Sequence, residues 1–127
     1  MPMTTDELLA VIDTVTEHLL KQNAKSVSPK GAGVTGQCAY RGLNGHKCAI
    51  GVLISDDAYT ETINTLAVSH PFVADALERS GYNVSNDHKL LELLKELQTI
   101  HDSIDPFKWK STLQERRKSW LYRFSKQ

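Results

Sequence analysis

The sequence predicts a mainly α protein: a compact bundle of about five helices with one short β-hairpin. Three observations lead there. Apolar residues recur at helical spacing along most of the chain. Capping residues, proline and glycine stand where helices should start and stop. One stretch, Gln37 to Ile54, breaks the helical pattern and holds both cysteines and three of the seven glycines.

The first helix opens at Thr4-Thr5-Asp6-Glu7. Thr4 can cap it, and Glu7 three residues on completes a capping box. Leu8, Leu9, Ile12, Val15 and Leu19 give it one apolar face, and it should fade near Asn23. Lys25 to Gln37 reads as a loop, with Pro29 and three glycines. Gly31, Gly33 and Gly36 match the spacing G-x-G-x-x-G, but no strand precedes them and no helix follows. A dinucleotide site needs both. Next come Cys38–Arg41 and Lys47–Ile50, two short runs around a Gly/Asn turn, which read as a hairpin lying against helices.

Ser55-Asp56-Asp57 reads as the start of a helix through Tyr59, Ile63 and Leu66, ending near Ser69. Pro71 suits the first position of the next helix, and Gly81 its stop. Ser85-Asn86-Asp87 begins another, with Leu90, Leu94, Leu97 and His101 on one face. Asp105-Pro106 restarts the chain as cap and first helical residue. In the last helix Trp109, Leu113, Trp120 and Phe124 share one stripe.

At 127 residues, 40% hydrophobic and 24% charged, the chain reads as one globular domain, residues 1–127. No apolar run approaches the roughly 18 residues a membrane helix needs. The first ten residues carry acids where a signal peptide needs bases. The expectation is a cytoplasmic protein with no membrane contact. Formal net charge is zero, but residues 107–127 hold seven bases against one acid, and residues 1–106 carry the compensating −6. Such asymmetry suits either nucleic acid or a basic helix face docked on an acidic body.

The central residues resemble a set of small uncharacterised proteins of tailed phages and bacterial genomes. Their core reads C-x-YRG-x-x-G-x-KCA-x-G-x-LI. Here it is Cys38, Tyr40-Arg41-Gly42, Gly45, Lys47-Cys48-Ala49, Gly51 and Leu53-Ile54, followed by Asp56 and Tyr59. A later element, LQ-x-IHD-x-x-x-P-x-x-W, matches Leu97-Gln98, Ile100-His101-Asp102, Pro106 and Trp109. The cysteine and proline often seen after the central glycine are Val52 and Ser55 here. The resemblance implies no activity, because the family has none assigned. It implies a small accessory protein that binds a host protein in the host cytoplasm and redirects or inhibits it, defence systems included.

The residues themselves offer four chemistries. Zinc would need Cys38, Cys48 and two of His46, His70 and His101, without the close cysteine pair that structural sites use. The plainer reading is two buried thiols, with no metal and no cofactor. A thiol hydrolase could draw on Cys48 or Cys38 with His101 and Asp102. Adjacent positions on a helix diverge by about 100°, so Asp102 is not expected to orient His101. Anion binding could use Arg41 as a bidentate clamp, Lys47 beside it, and Tyr40 stacked on a base. Alternatively Arg41 pairs internally with Asp57 or Asp102. Nucleic acid could lie along the last helix, where Trp109, Trp120, Tyr122 and Phe124 alternate with bases.

The expectation that follows is a non-catalytic binding protein. Its candidate binding residues are Tyr40, Arg41, Asn44, His46 and Lys47. Asp57, Tyr59, His101 and Asp102 form a second set that could reach a ligand held there. The expected partner is a host protein. A small phosphorylated ligand or nucleotide is the second reading, and nucleic acid the third.

Overall fold

The computed structural model describes residues 2–27, 39–64 and 66–126. Among them are four α-helices: α1 (Thr5–Gln22), α2 (Pro71–Arg79), α3 (His88–Ser103) and α4 (Trp109–Ser125). Short 3-10 turns punctuate the segments between them, and no β-sheet is formed among the described residues. The protein is mainly helical, as expected. The glycine-rich loop and Cys38 lie outside the described residues.

The helix ends follow from local chemistry. Thr4 Oγ1 accepts the Glu7 amide at 3.1 Å and Glu7 Oε1 accepts the Thr4 amide at 2.9 Å, so both halves of the capping box form. Asn23 ends α1 in the left-handed region. Pro71 opens α2, where the His70 ring accepts the Phe72 amide. Beyond α2, Gly81 takes a positive φ, and the Tyr82 and Gly81 amides return to the Leu77 and Glu78 carbonyls. This is a Schellman closure. Asp87 caps α3 through the Leu90 amide, and its other oxygen holds the Met3 amide at 2.8 Å, tying the N-terminus to α3. Asp105 was expected to cap the next helix but makes no capping hydrogen bond; Pro106 begins a 3-10 turn that runs directly into α4.

One apolar cluster draws on all four helices and the central segment. Leu8, Ile12, Val15 and Leu19 of α1 pack into it with Leu90, Leu94 and Leu97 of α3 and Trp109, Leu113, Trp120 and Phe124 of α4. The expected stripe on the last helix is therefore buried. Its bases face outward, and three of them, Arg116, Arg117 and Arg123, pair with acids of the body. Arg117 forms two hydrogen bonds to Asp13, at 2.8 and 3.0 Å, and Glu96 receives both Arg116 and Arg123. The charge asymmetry is that of a basic helix face docked on acidic helices.

Two expectations need correction. The helix expected over Ser55–Ser69 is not there. The described residues of that stretch form a chain of turns, with one 3-10 turn at Glu61–Ile63. Thr60, Thr62 and Ile63 are β-branched and favour helix poorly. Side chains from elsewhere also pin the stretch near its two ends. Arg41 holds the Ile54 carbonyl, Ser80 Oγ accepts the Ser55 amide, and Tyr40 donates to the Leu66 carbonyl. Among the described residues the hairpin, too, is reduced to one antiparallel bridge, Arg41 to Lys47, with no strands. Beyond it the chain turns at once. Gly51 packs so closely on the Tyr40 carbonyl that a Cβ there would collide with it.

Candidate functional site

The central segment is built as a turn on a short stem. Gly42 donates to the His46 carbonyl and Cys48 to the Tyr40 carbonyl, which frame Arg41 and Lys47 as a non-hydrogen-bonded pair. His46 donates back to Leu43, closing a turn over Asn44 and Gly45. Both have positive φ, 60° and 74°. A type I′ turn requires this of its two central residues, and Asn-Gly supplies it cheaply.

Side chains from α1 hold the stem from one side. Gln22 pairs with both backbone groups of Lys47, accepting its amide at 2.9 Å and donating to its carbonyl at 3.0 Å. His18 Nε2 lies 2.9 Å from the same carbonyl. Ser26 and Val27 hold the other side. Ser26 Oγ donates to the His46 carbonyl, and the Leu43 amide donates to Val27. Asn64 brackets Arg41 by accepting its amide and donating to its carbonyl, each at 3.3 Å.

The expected binding residues therefore come together, but they divide. Asn44 is exposed at the tip, and His46 and Lys47 are half-buried beside it. Leu43, which the sequence reading passed over, projects from the tip with 42% of its surface exposed. Tyr40 cannot stack on a ligand base. It is buried, and its hydroxyl donates to the Leu66 carbonyl at 2.7 Å. Burial holds its phenol well above the ordinary tyrosine pKa.

Arg41 pairs internally, with Asp56 and not with Asp57 or Asp102. Its Nη2 lies 2.8 Å from Asp56 Oδ1 and donates to the Ile54 carbonyl at 2.9 Å. The guanidinium stacks 4.4 Å above the Tyr59 ring. Arg41 and Lys47 face each other across the bridge, where like charges repel; Asp56 offsets that repulsion. Asp57 is exposed, and its backbone carbonyl is 3.5 Å from Arg79.

His101 and Asp102 form a second constellation, beneath the segment. His101 is fully buried in α3 and stacks on Trp109 at 5.6 Å. Its Nε2 accepts the Ser26 amide at 3.0 Å. A backbone amide can only donate, so the ring proton sits on Nδ1 and points to Asp102 Oδ1 at 2.8 Å. Asp102 does orient His101, against expectation: its side chain folds back along the helix, and Gln98 steadies it through a 2.8 Å bond to the same oxygen. The pair does not make a triad, because the outward nitrogen is already occupied by Ser26. Cys48 is equally unsuited to nucleophilic work. It is fully buried, and burial pushes its thiol up to about 12, whereas reactive cysteines have lowered values.

Among the described residues, no three His, Cys, Asp or Glu side chains gather as a metal site. His70 caps α2 and His46 lies at the turn, apart from buried His101. No helix among the described residues is long and apolar enough to cross a membrane. Of the polar residues that organise the segment, Gln22, Ser26 and Asn64 were not singled out in the sequence, and Gln98 was named only within the LQ-x-IHD element. His18 and Gln22, one turn apart beside core residue Leu19, mark a polar pair at the core edge but not the distant backbone it holds.

Compared with known proteins, the chain matches no family model, and no curated protein or solved structure matches it significantly.

Proposed function

We propose that this protein acts by binding another protein through the Leu43–Gly45 turn, with His46 and Lys47 at its flank. The observation that carries this reading is an apolar side chain, Leu43, presented on a turn whose stem is hydrogen-bonded from several sides. A contact held in one conformation before binding loses less entropy on association. The resemblance to phage proteins supports a host protein in the host cytoplasm as the partner. The result of binding is modulation of that protein, counter-defence included.

The second reading, a small phosphorylated ligand, draws on Arg41 and Lys47 facing one another. It requires the ligand to displace Asp56 from Arg41, and so is the weaker one. Nucleic-acid binding along α4 is weaker still, since Arg116, Arg117 and Arg123 are paired with Glu96 and Asp13.

The test is affinity capture from bacterial lysate with tagged wild-type protein and with Leu43→Ser. The reading expects a specific partner captured by the wild type and lost by a variant of unchanged thermal stability. Equal capture by both moves the contact away from the turn.

A further inference from the structure

An open cleft of about 580 Å³ lies between α3 and the residues Asn64 and Leu66–Ser69, with Ala39 and Tyr40 at its edge. That volume falls within the range of small-molecule sites, about 300–1,000 Å³. Its walls are chemically uneven. Leu66, Ala67 and Val68 supply an apolar side, and α3 supplies Lys95 and Asp102, seven positions apart. At 1.5 Å per residue they stand roughly 10 Å apart along the helix axis.

Asp102 is unusual among the charged residues of this protein. Its carboxylate is held in place by two neutral donors, His101 Nδ1 and Gln98 Nε2, both on Oδ1 at 2.8 Å. Each donor is itself anchored. His101 is gripped by the Ser26 amide and stacked on Trp109, and Gln98 Oε1 accepts the Ile50 amide. Oδ2 takes no hydrogen bond among the described residues. No lysine or arginine among them lies within ion-pair distance of either oxygen; Lys25 Nζ bonds the backbone carbonyl instead. The side chain is 39% exposed, against the cleft. Lys95 is about half exposed, and its one acidic neighbour, Glu92, is 4.0 Å away.

We propose that this cleft binds a small linear zwitterion, a guanidinium or ammonium compound with a carboxylate at its other end. Asp102 receives the cation through Oδ2, Lys95 receives the carboxylate, and the methylene spacer lies on Leu66–Val68. An oriented carboxylate with one oxygen unbonded among the described residues suits a charged N–H donor. The geometry would orient such a ligand along α3 without rearranging the buried network behind Asp102. This site is separate from the Leu43–Gly45 turn and does not depend on the role assigned to it.

The test is an amide NMR titration of the whole protein with L-arginine. L-citrulline, which has a neutral ureido group in place of the guanidinium, and agmatine, which lacks the carboxylate, serve as comparators. L-arginine should saturate in the millimolar range and shift the amides of Leu66–Ser69 and Lys95–Asp102. Both comparators should bind at least about tenfold more weakly, the loss of one charge-assisted contact. Asp102→Asn, which keeps an acceptor for His101, should bind L-arginine no better than wild type binds L-citrulline. Lys95→Gln should weaken L-arginine but not agmatine, whose terminal ammonium gains nothing from Lys95. The proposal is overturned by unsaturable L-arginine, by equal affinity for L-citrulline, by shifts centred elsewhere, or by an unaffected Asp102→Asn. Should Asp102→Asn unfold, the citrulline and Lys95→Gln arms decide alone.

Discussion

Arg41→Ala is the perturbation that separates a structural from an exposed role for the guanidinium. The side chain is 21% exposed, so most of its effect should appear in stability. Its bond to the Ile54 carbonyl is charge-assisted and contributes about 1.5–3 kcal/mol. Asp56 is 85% exposed, and a pair so open to water adds about 0.5 kcal/mol or less. Stacking over Tyr59 adds about 0.5–1 kcal/mol. Against these stands Arg41 Nε, buried with no partner, whose desolvation offsets about 1 kcal/mol or more. The net expected loss is about 2 kcal/mol, a fall in Tm of roughly 6–10 °C for a chain of this size. Asp56→Ala should lose no more than about 0.5 kcal/mol. Arg41→Lys should fall between, keeping charge but not the planar fork. Urea titration of the three variants measures this. An Arg41→Ala within about 0.5 kcal/mol of wild type would refute the staple, and equal losses for Arg41→Ala and Asp56→Ala would place the energy in the ion pair.

Two further outcomes follow from burial. Ile50, fully buried against the helices, should lose about 2–4 kcal/mol on truncation to alanine; a loss under about 1 kcal/mol in urea titration would mean the segment does not pack there. Cys48, raised from 9.0 to about 12, keeps in the native state a proton that the unfolded chain releases. Its contribution is complete below about pH 9 and is lost as pH rises toward 12, by a few kcal/mol at most. The alkaline limb of stability against pH should therefore be shallower in Cys48→Ala, and an unchanged slope would assign that limb to other groups, buried Tyr40 among them.

The four α-helices were legible because each carries a periodic apolar face, and the first three also carry a chemical start signal that the structure uses. Thr4 with Glu7, Pro71 and Asp87 all stand where the sequence places them. Ser55-Asp56-Asp57 carries the same signal without a helix. Asp56 answers Arg41 instead, and the β-branched residues beyond it favour helix poorly. The Asn44-Gly45 turn was legible for a related reason: few residue pairs accept two positive φ values. The stem's supports were not. Gln22, Ser26 and Gln98 act across 20 or more positions, and no local pattern marks a glutamine that will hold a distant backbone. The His101–Asp102 contact was misread because helical angles place Cβ atoms and leave rotamers open. Gln98, one turn before Asp102, is what steadies the fold-back.

The central claim is that the Leu43–Gly45 turn is held in one conformation before any partner arrives, and amide hydrogen exchange tests it most directly. The Lys47 amide donates to Gln22 Oε1, the Leu43 amide to Val27 and the Ser26 amide to His101 Nε2. All three should exchange slowly in the wild type, in the range of interior helix amides. Gln22→Ala should accelerate Lys47 while leaving the amides of Ile12 to Leu19 unchanged. Fast exchange at Lys47 in the wild type, or a rate at Lys47 indifferent to Gln22→Ala, would contradict the account.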